Sequence, residues 1–416
     1  MHPSPLLPPE LAARANAVAS VIRERLDSPA GADAHAARAA GQSDLSFWNG
    51  ASLSEGHAGL ALLHLHAART AERGAEGEWS RDRAFSFVRA AFAATQEEAL
   101  THPGLFDGTA GLAFVLREVA ADEPRFLPSL AALDEQLSRQ VLAMELPRRP
   151  GAVAAHHYDL VYGCAGVLAH LCHVRPTTPL VEQALQRCLR YLMWVGADQR
   201  WAVEGRLDTG MSHGAAGIAA ALATAWRHGH RLPGQRLVLD RLVAWLLEVG
   251  SRGGRQPGGR DPSPWTRTST TETKPCPPGA TGPGSGRRAA HRSRRDRRPG
   301  PGSTGVRRAG RAARPGRRRG RAAFAHRVPR PRRMRRARPR VRRAGQRGRR
   351  AGLARLVTEL LDAAEPERAL VYRDRETTGH VVDNPGLLTG AAGVALALRA
   401  TATGRRPSWW RVLFLR

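Results

Sequence analysis

The 416-residue chain is short of several things at once, and each shortage narrows what it can be. It has four cysteines (Cys164, Cys172, Cys188 and Cys276), too few to form a disulfide framework at this length. It has one lysine, Lys274, against 64 arginines, and aromatic residues make up only 5%. Apolar runs such as Ala58 to His64 and Val394 to Leu398 fall far short of the roughly 20 residues that cross a bilayer. No charged-then-apolar leader with a small-residue cleavage site opens the sequence, so the expectation is a soluble protein of the reducing cytoplasm with no membrane span. Hydrophobic residues make up 42%, enough for a sizeable core, which excludes a wholly disordered chain.

Acidic residues are missing from one place in particular. Between Arg287 and Arg350 there are 28 arginines and one acid, Asp296, so these 64 residues carry +27 of the formal net charge of +29. The remaining 352 residues are close to neutral. The first inference from such a charge excess, a nucleic-acid binder, therefore applies to one segment only. Even there Phe324 is the single aromatic, so base stacking has little to work with and nonspecific polyanion binding is the most the block implies.

What the chain does have is a glycine repeat. G-H-A-G at Gly56 to Gly59 is followed by G-T-A-G at Gly108 to Gly111, G-C-A-G at Gly163 to Gly166 and G-A-A-G at Gly214 to Gly217, at spacings of 52, 55 and 51 residues. A fifth copy, Gly390 to Gly393, comes 176 residues after the fourth, about three periods, so two copies are missing between them. One G-x-x-G is ordinary turn chemistry; an evenly spaced series is a structural repeat. Each copy leads into an alanine-rich apolar run, which predicts a buried helix, and amphipathic segments such as Leu130 to Met144 and Leu237 to Val249 predict covering helices. One helical hairpin per period follows.

The residues around the repeat are specific. Y-D-L-V-Y-G-C-A-G (Tyr158 to Gly166), G-M-S-H-G-A-A-G (Gly210 to Gly217), N-P-G-L-L-T-G-A-A-G (Asn384 to Gly393) and the tail W-W-R-V-L-F-L resemble the lanthionine synthetase C-like family, the lanthipeptide cyclases, over about residues 45 to 250 and 351 to 416. The resemblance implies an all-α fold, an α/α toroid of seven helical hairpins with the glycine motifs at one end, of which about five are recognisable here. It divides the chain into an N-terminal helical lead-in (1–44), toroid repeats one to four (45–250), a Gly/Pro/Arg-rich disordered or out-of-frame segment (251–350) and a final repeat (351–416).

The resemblance also implies a chemistry: zinc-dependent addition of a peptide cysteine thiolate to dehydroalanine or dehydrobutyrine in a dehydrated lanthipeptide precursor, with a separate dehydratase as partner. His213 matches the family's active-site histidine, and Asp159 the acid beside the barrel mouth. The family's zinc ligands belong to the two absent repeats, as W-C-x-G and C-H-G. Cys276 falls near the first cysteine's place and His326 near the histidine, with Ala325 where the second cysteine would be. Of the other histidines, His57 and His102 are read as solvated caps, while His156 and His157 line the mouth. Cys164 and Cys188 are read as small buried hydrophobes. Two further readings stay open, a non-catalytic peptide-binding scaffold and polyanion binding through the arginine block.

Arginine, proline, glycine and alanine are the residues that a GC-rich gene yields when translated out of frame, and helical periodicity returns at once in Leu353 to Leu361. A frame slip therefore accounts for the missing repeats. The nucleotide sequence between the codons for Ser251 and Gly352, translated in all three forward frames, should recover W-C-x-G and C-H-G. A clean read with no compensating insertion or deletion refutes the slip.

Overall fold

A computed structural model describes residues 6–43, 47–71, 74–148, 151, 153–203, 206–253, 339–376, 379–405 and 407–414, of which 202–203, 206–207, 251–253 and 339–349 are described by backbone alone. Residues 1–256 and 337–416 form one compact unit; Cys276, His326 and most of the arginine block lie outside the described residues.

The unit is all-α. Its helices are α1 (Pro9–Arg25), α2 (Pro29–Ala40), α3 (His57–Thr70), α4 (Ala75–Glu97), α5 (Thr109–Ala120), α6 (Leu127–Ala143), α7 (Cys164–Leu171), α8 (Pro179–Ala197), α9 (Ala215–Arg227), α10 (Gln235–Gly253), α11 (Pro339–Asp362) and α12 (Ala391–Thr403). Two small antiparallel ribbons, 202–203 with 206–207 and 374–375 with 381–382, are the strands among the described residues.

The hairpins form an α/α toroid arrangement. The inner helices are the five that follow the glycine tetrads, and they neighbour one another in the order α12, α3, α5, α7, α9. Each carries an outer helix: α4 on α3, α6 on α5, α8 on α7 and α10 on α9. The last inner helix, α12, is covered by α1 from the other end of the chain, which also packs on α11. The inner helices are apolar nearly all round, as elements buried on both sides must be: every residue of α5 except Arg117 is buried, as is every residue of α7. The outer helices are amphipathic, α8 most clearly, with Leu185, Cys188, Leu189 and Leu192 inward.

The spacing of the ring is set at the loops. Each inner helix starts directly after the first glycine of its tetrad, whose extended backbone acts as N-cap. In three of the five tetrads the second glycine faces the preceding hairpin. A Cβ on Gly59 would lie 2.8 Å from Leu387 Cβ, on Gly111 2.9 Å from Leu53 Cβ, and on Gly166 2.7 Å from Leu105 Cβ, distances real Cβ atoms essentially never show. Neighbouring loops then hydrogen-bond in sequence. The amides of Leu387 and Leu388 donate to Ser54 O, those of Leu53 and Ser54 to Phe106 O, those of Leu105 and Phe106 to Val161 O, and that of Leu160 to Ser212 O, at 2.6–3.1 Å. All five tetrads therefore share one rim.

The opposite end is covered by the C-terminal 3-10 turn, Ser408–Leu413. Arg411 reaches Glu118 near the end of α5, whose carboxylate is almost fully buried and also takes Arg69 at 2.7 Å. Pairing on both sides is what makes a buried carboxylate tolerable.

Gly111→Ala is expected to destabilise the fold by about 1–3 kcal/mol, because the added methyl must displace both the Leu105 carbonyl and the Leu53 side chain. Gly352→Ala on α11, where a Cβ meets nothing within 4 Å, should stabilise by about 0.5–1 kcal/mol. Urea unfolding midpoints of the two variants check this; a neutral Gly111→Ala removes the close-approach argument.

Candidate active site

Aligning the rim loops on the tetrads places Glu55, Asp107, Tyr162, His213 and Thr389 at one position, the residue directly before the first glycine. The rim thus presents a set of side chains from successive hairpins at equivalent places. Two of the residues singled out in the sequence, His213 and Asp159, come together here across the junction of hairpins three and four. His213 Nδ1 lies 2.8 Å from Asp159 Oδ2.

Asp159 is held by its own loop. Its Oδ1 accepts the backbone amides of Tyr162 at 2.7 Å and Gly163 at 2.8 Å, so one oxygen caps the start of α7 while the other takes the imidazole. The carboxyl is 1% exposed, whereas the histidine ring is 49% exposed. A buried carboxylate that accepts from Nδ1 fixes the tautomer with the proton on Nδ1 and leaves Nε2 on the open side. The hydrogen bond to Asp159 raises the His213 pKa above its ordinary value, outweighing partial burial, and the Asp159 and Asp208 charges add to it. Tyr158, the residue before Asp159, donates its hydroxyl to His213 O at 3.0 Å and so fixes the backbone of the same histidine. Its neighbouring place in Y-D-L was the available sequence signal.

Glu55 is a second acid at the rim that sequence reasoning missed. Its Oε1 accepts the hydroxyl of Thr389 at 2.9 Å and the Thr389 amide at 3.2 Å, while Oε2 is buried without a hydrogen-bond partner against Gly386. Burial pushes its pKa up to about 7, the Thr389 hydrogen bonds opposing and the Asp374 charge adding. The signal that could have found it is its equivalence to His213 in the repeat.

The remaining histidines divide. His57 is not a solvated cap: it is buried, 3.1 Å from Asp33 Oδ1 on α2, with its ring edge-on to Trp48 at 5.4 Å. α2 and the Trp48 loop fold over it, a tertiary contact that spacing did not reveal. His102 is half-buried, and its Nδ1 accepts the Gly104 amide at 3.2 Å. His156 and His157 lie with their ring centres 4.0 Å apart, tilted by 38°, on the short turn that leads into Asp159.

No three His, Cys, Asp or Glu side chains among the described residues form a metal-binding group. Cys164, Cys172 and Cys188 are buried in the core. A hydrogen bond with Cys188 and burial hold the Cys164 thiol well above its usual range, and burial pushes Cys172 up to about 12, the reverse of what a zinc thiolate needs. The described donors do not fit zinc, and Cys276 and His326 lie outside them.

Glu55→Gln keeps an acceptor for Thr389 and removes the titrating proton. Because the folded-state pKa of Glu55 is raised, wild-type stability falls as pH climbs from the ordinary carboxylate range to about 7 and stays lower above it. The variant is therefore expected to gain thermal stability relative to wild type at pH 8 but not at pH 4. Equal differences in melting temperature at both values contradict the assignment.

Residues 47–250 match the family described as lanthionine synthetase C-like protein. A solved structure named nisin cyclase is similar at 16% identity and a TM-score of 0.40, over 48% of this chain and 52% of its own, so the chain spans about half the length of that relative. No curated protein gives a match. No helix among the described residues is long and apolar enough to cross a membrane. Through residues 47–250, with four of the five glycine tetrads and both members of the rim pair inside the matched stretch, the chain belongs to the lanthionine synthetase C-like family.

Proposed function

We propose that the chain is a lanthipeptide cyclase that adds a peptide cysteine thiol to dehydroalanine or dehydrobutyrine, with His213 as the acid–base group and Asp159 as the residue that positions it. The observation carrying the proposal is the 2.8 Å His213–Asp159 contact at the open rim, on two hairpins whose registration the repeat enforces. Addition forms a carbon–sulfur bond, moves the electron pair of the double bond onto the neighbouring carbon, and ends with a proton delivered to that carbon. An imidazole with Nδ1–H fixed by a carboxylate and Nε2 toward the open side serves either proton transfer, taking the thiol proton or returning one to the enolate. The raised pKa keeps a larger protonated fraction near neutral pH than a free histidine has.

Zinc, when bound, supplies a thiolate at neutral pH; Cys276 and His326 are the proposed ligands, and no step above depends on them. A separate dehydratase would provide the dehydrated precursor, and the reducing cytoplasm is the proposed compartment. The arginine block adds salt-sensitive polyanion binding, independent of the rim.

Cyclisation does not change mass, so it is read by loss of an alkylatable thiol in a dehydrated, cysteine-containing peptide. Purified full-length chain should hold stoichiometric zinc and remove the thiol. His213→Gln should slow the reaction about 10²–10⁴-fold. Asp159→Asn should slow it about 10–100-fold and bring the His213 titration, followed by NMR, down in pH. A chain without metal that leaves the thiol intact overturns the enzyme and leaves a peptide-binding scaffold.

A further inference from the structure

The two loops joined by the His213–Asp159 contact carry exposed apolar side chains. Tyr162 is 43% exposed and Met211 36% exposed, and both belong to the rim loops that meet at Asp159. Isolated exposed apolar side chains are common and need no explanation. These two, however, belong to the two loops joined by the His213–Asp159 contact: Met211 lies two residues before His213 on the same loop, and Tyr162 holds the position equivalent to His213 on the preceding hairpin.

The placement of Tyr162 is tied to the imidazole through one carboxylate. Asp159 Oδ1 accepts the Tyr162 amide at 2.7 Å while Oδ2 takes His213 Nδ1 at 2.8 Å, so the two residues are fixed relative to each other by a buried group. On its other side the Tyr162 ring is tilted toward His102 at 6.2 Å, and a Cβ on Gly104 would lie 3.2 Å from Tyr162 Cα. The aromatic side chain is thus anchored at its base and exposed at the mouth. A rigid aromatic with few rotatable bonds gains contact area at small entropic cost when a peptide lies across it.

We propose that Tyr162, with Met211 on the His213 loop, is a substrate-positioning and specificity surface that receives an apolar side chain next to the dehydroalanine or dehydrobutyrine. This rests on the cyclase reading of the same rim. The occupant is the substrate peptide: the reacting carbon must come to His213, and the residue flanking it then falls on whichever exposed side chains border that imidazole.

The test uses full-length chain and two fluorescent dehydrated peptides that differ only in carrying Leu or Gly beside the dehydroalanine, with binding followed by anisotropy and cyclisation by thiol loss. Wild type is expected to bind the Leu peptide about tenfold more tightly, the scale of an interface aromatic. Tyr162→Ala should abolish the preference, Tyr162→Phe should restore it, and Met211→Ala should reduce it. The Leu-to-Gly ratio is insensitive to a general loss of folded protein, and melting curves identify any such loss directly. A wild type with no preference, or a Tyr162→Ala variant that keeps it, overturns the proposal and leaves the cyclase reading untouched. A wild type that prefers the Leu peptide but leaves its thiol intact overturns the cyclase reading and supports the contact.

Discussion

The close approach of one hairpin loop to the next governs this fold. Where the second glycine of a tetrad faces a leucine of the preceding loop, as at Gly59, Gly111 and Gly166, no side chain larger than hydrogen fits, and the gap that remains is the distance at which loop amides reach the neighbouring carbonyls. Buried backbone polar groups need partners, and a loop beneath a rim cannot find them within its own hairpin. The interlocking amides of Leu53, Leu105, Leu160 and Leu387 satisfy that need while fixing the angular register of every inner helix. The ring is thereby a consequence of hydrogen-bond accounting as much as of hydrophobic burial.

The chemistry of the rim follows from that register. Residues at equivalent positions of the repeat sit on one rim, and what each becomes depends on its immediate partners. Asp159 receives two amides and an imidazole, a set of donors suited to a carboxylate. Glu55 takes the Thr389 hydroxyl and amide on one oxygen, and burial outweighs these donors, raising its pKa to about 7. Two carboxyl groups at one end of the same repeat therefore sit in different surroundings, one loop supplying hydrogen-bond donors and the other mainly desolvation. Opposite the rim, Glu118 shows a third solution, burial between two arginines that seals the C-terminal turn onto the inner helices.

Much of this was legible in the chain itself. The tetrads, being required by sterics at fixed places, marked every inner helix start from Gly56 to Gly390, and the apolar composition of the following runs identified them as interior. Y-D-L-V-Y-G and S-H-G-A-A-G marked Asp159 and His213, and the structure brings these two into contact. Less visible were groups whose role depends on what another element places beside them. His57 is buried because α2 and Trp48 close over it, and α1 covers α12 across almost the whole length of the chain. Tyr158 was quoted within a motif, yet its hydroxyl contact with the His213 carbonyl is a distance in space, not in sequence.

The sequence alone determined that the chain is a helical repeat and which loops carry Asp159 and His213, because glycine at a point of backbone contact and helical periodicity are local requirements that any residue pattern must display. Only the tertiary structure decided which oxygen of Asp159 meets His213, that burial raises the Glu55 pKa, and that the Tyr162 amide and the His213 imidazole share one carboxylate. Those outcomes depend on solvent exclusion and on partners from other hairpins, and both exist only once the loops have been drawn onto a common rim.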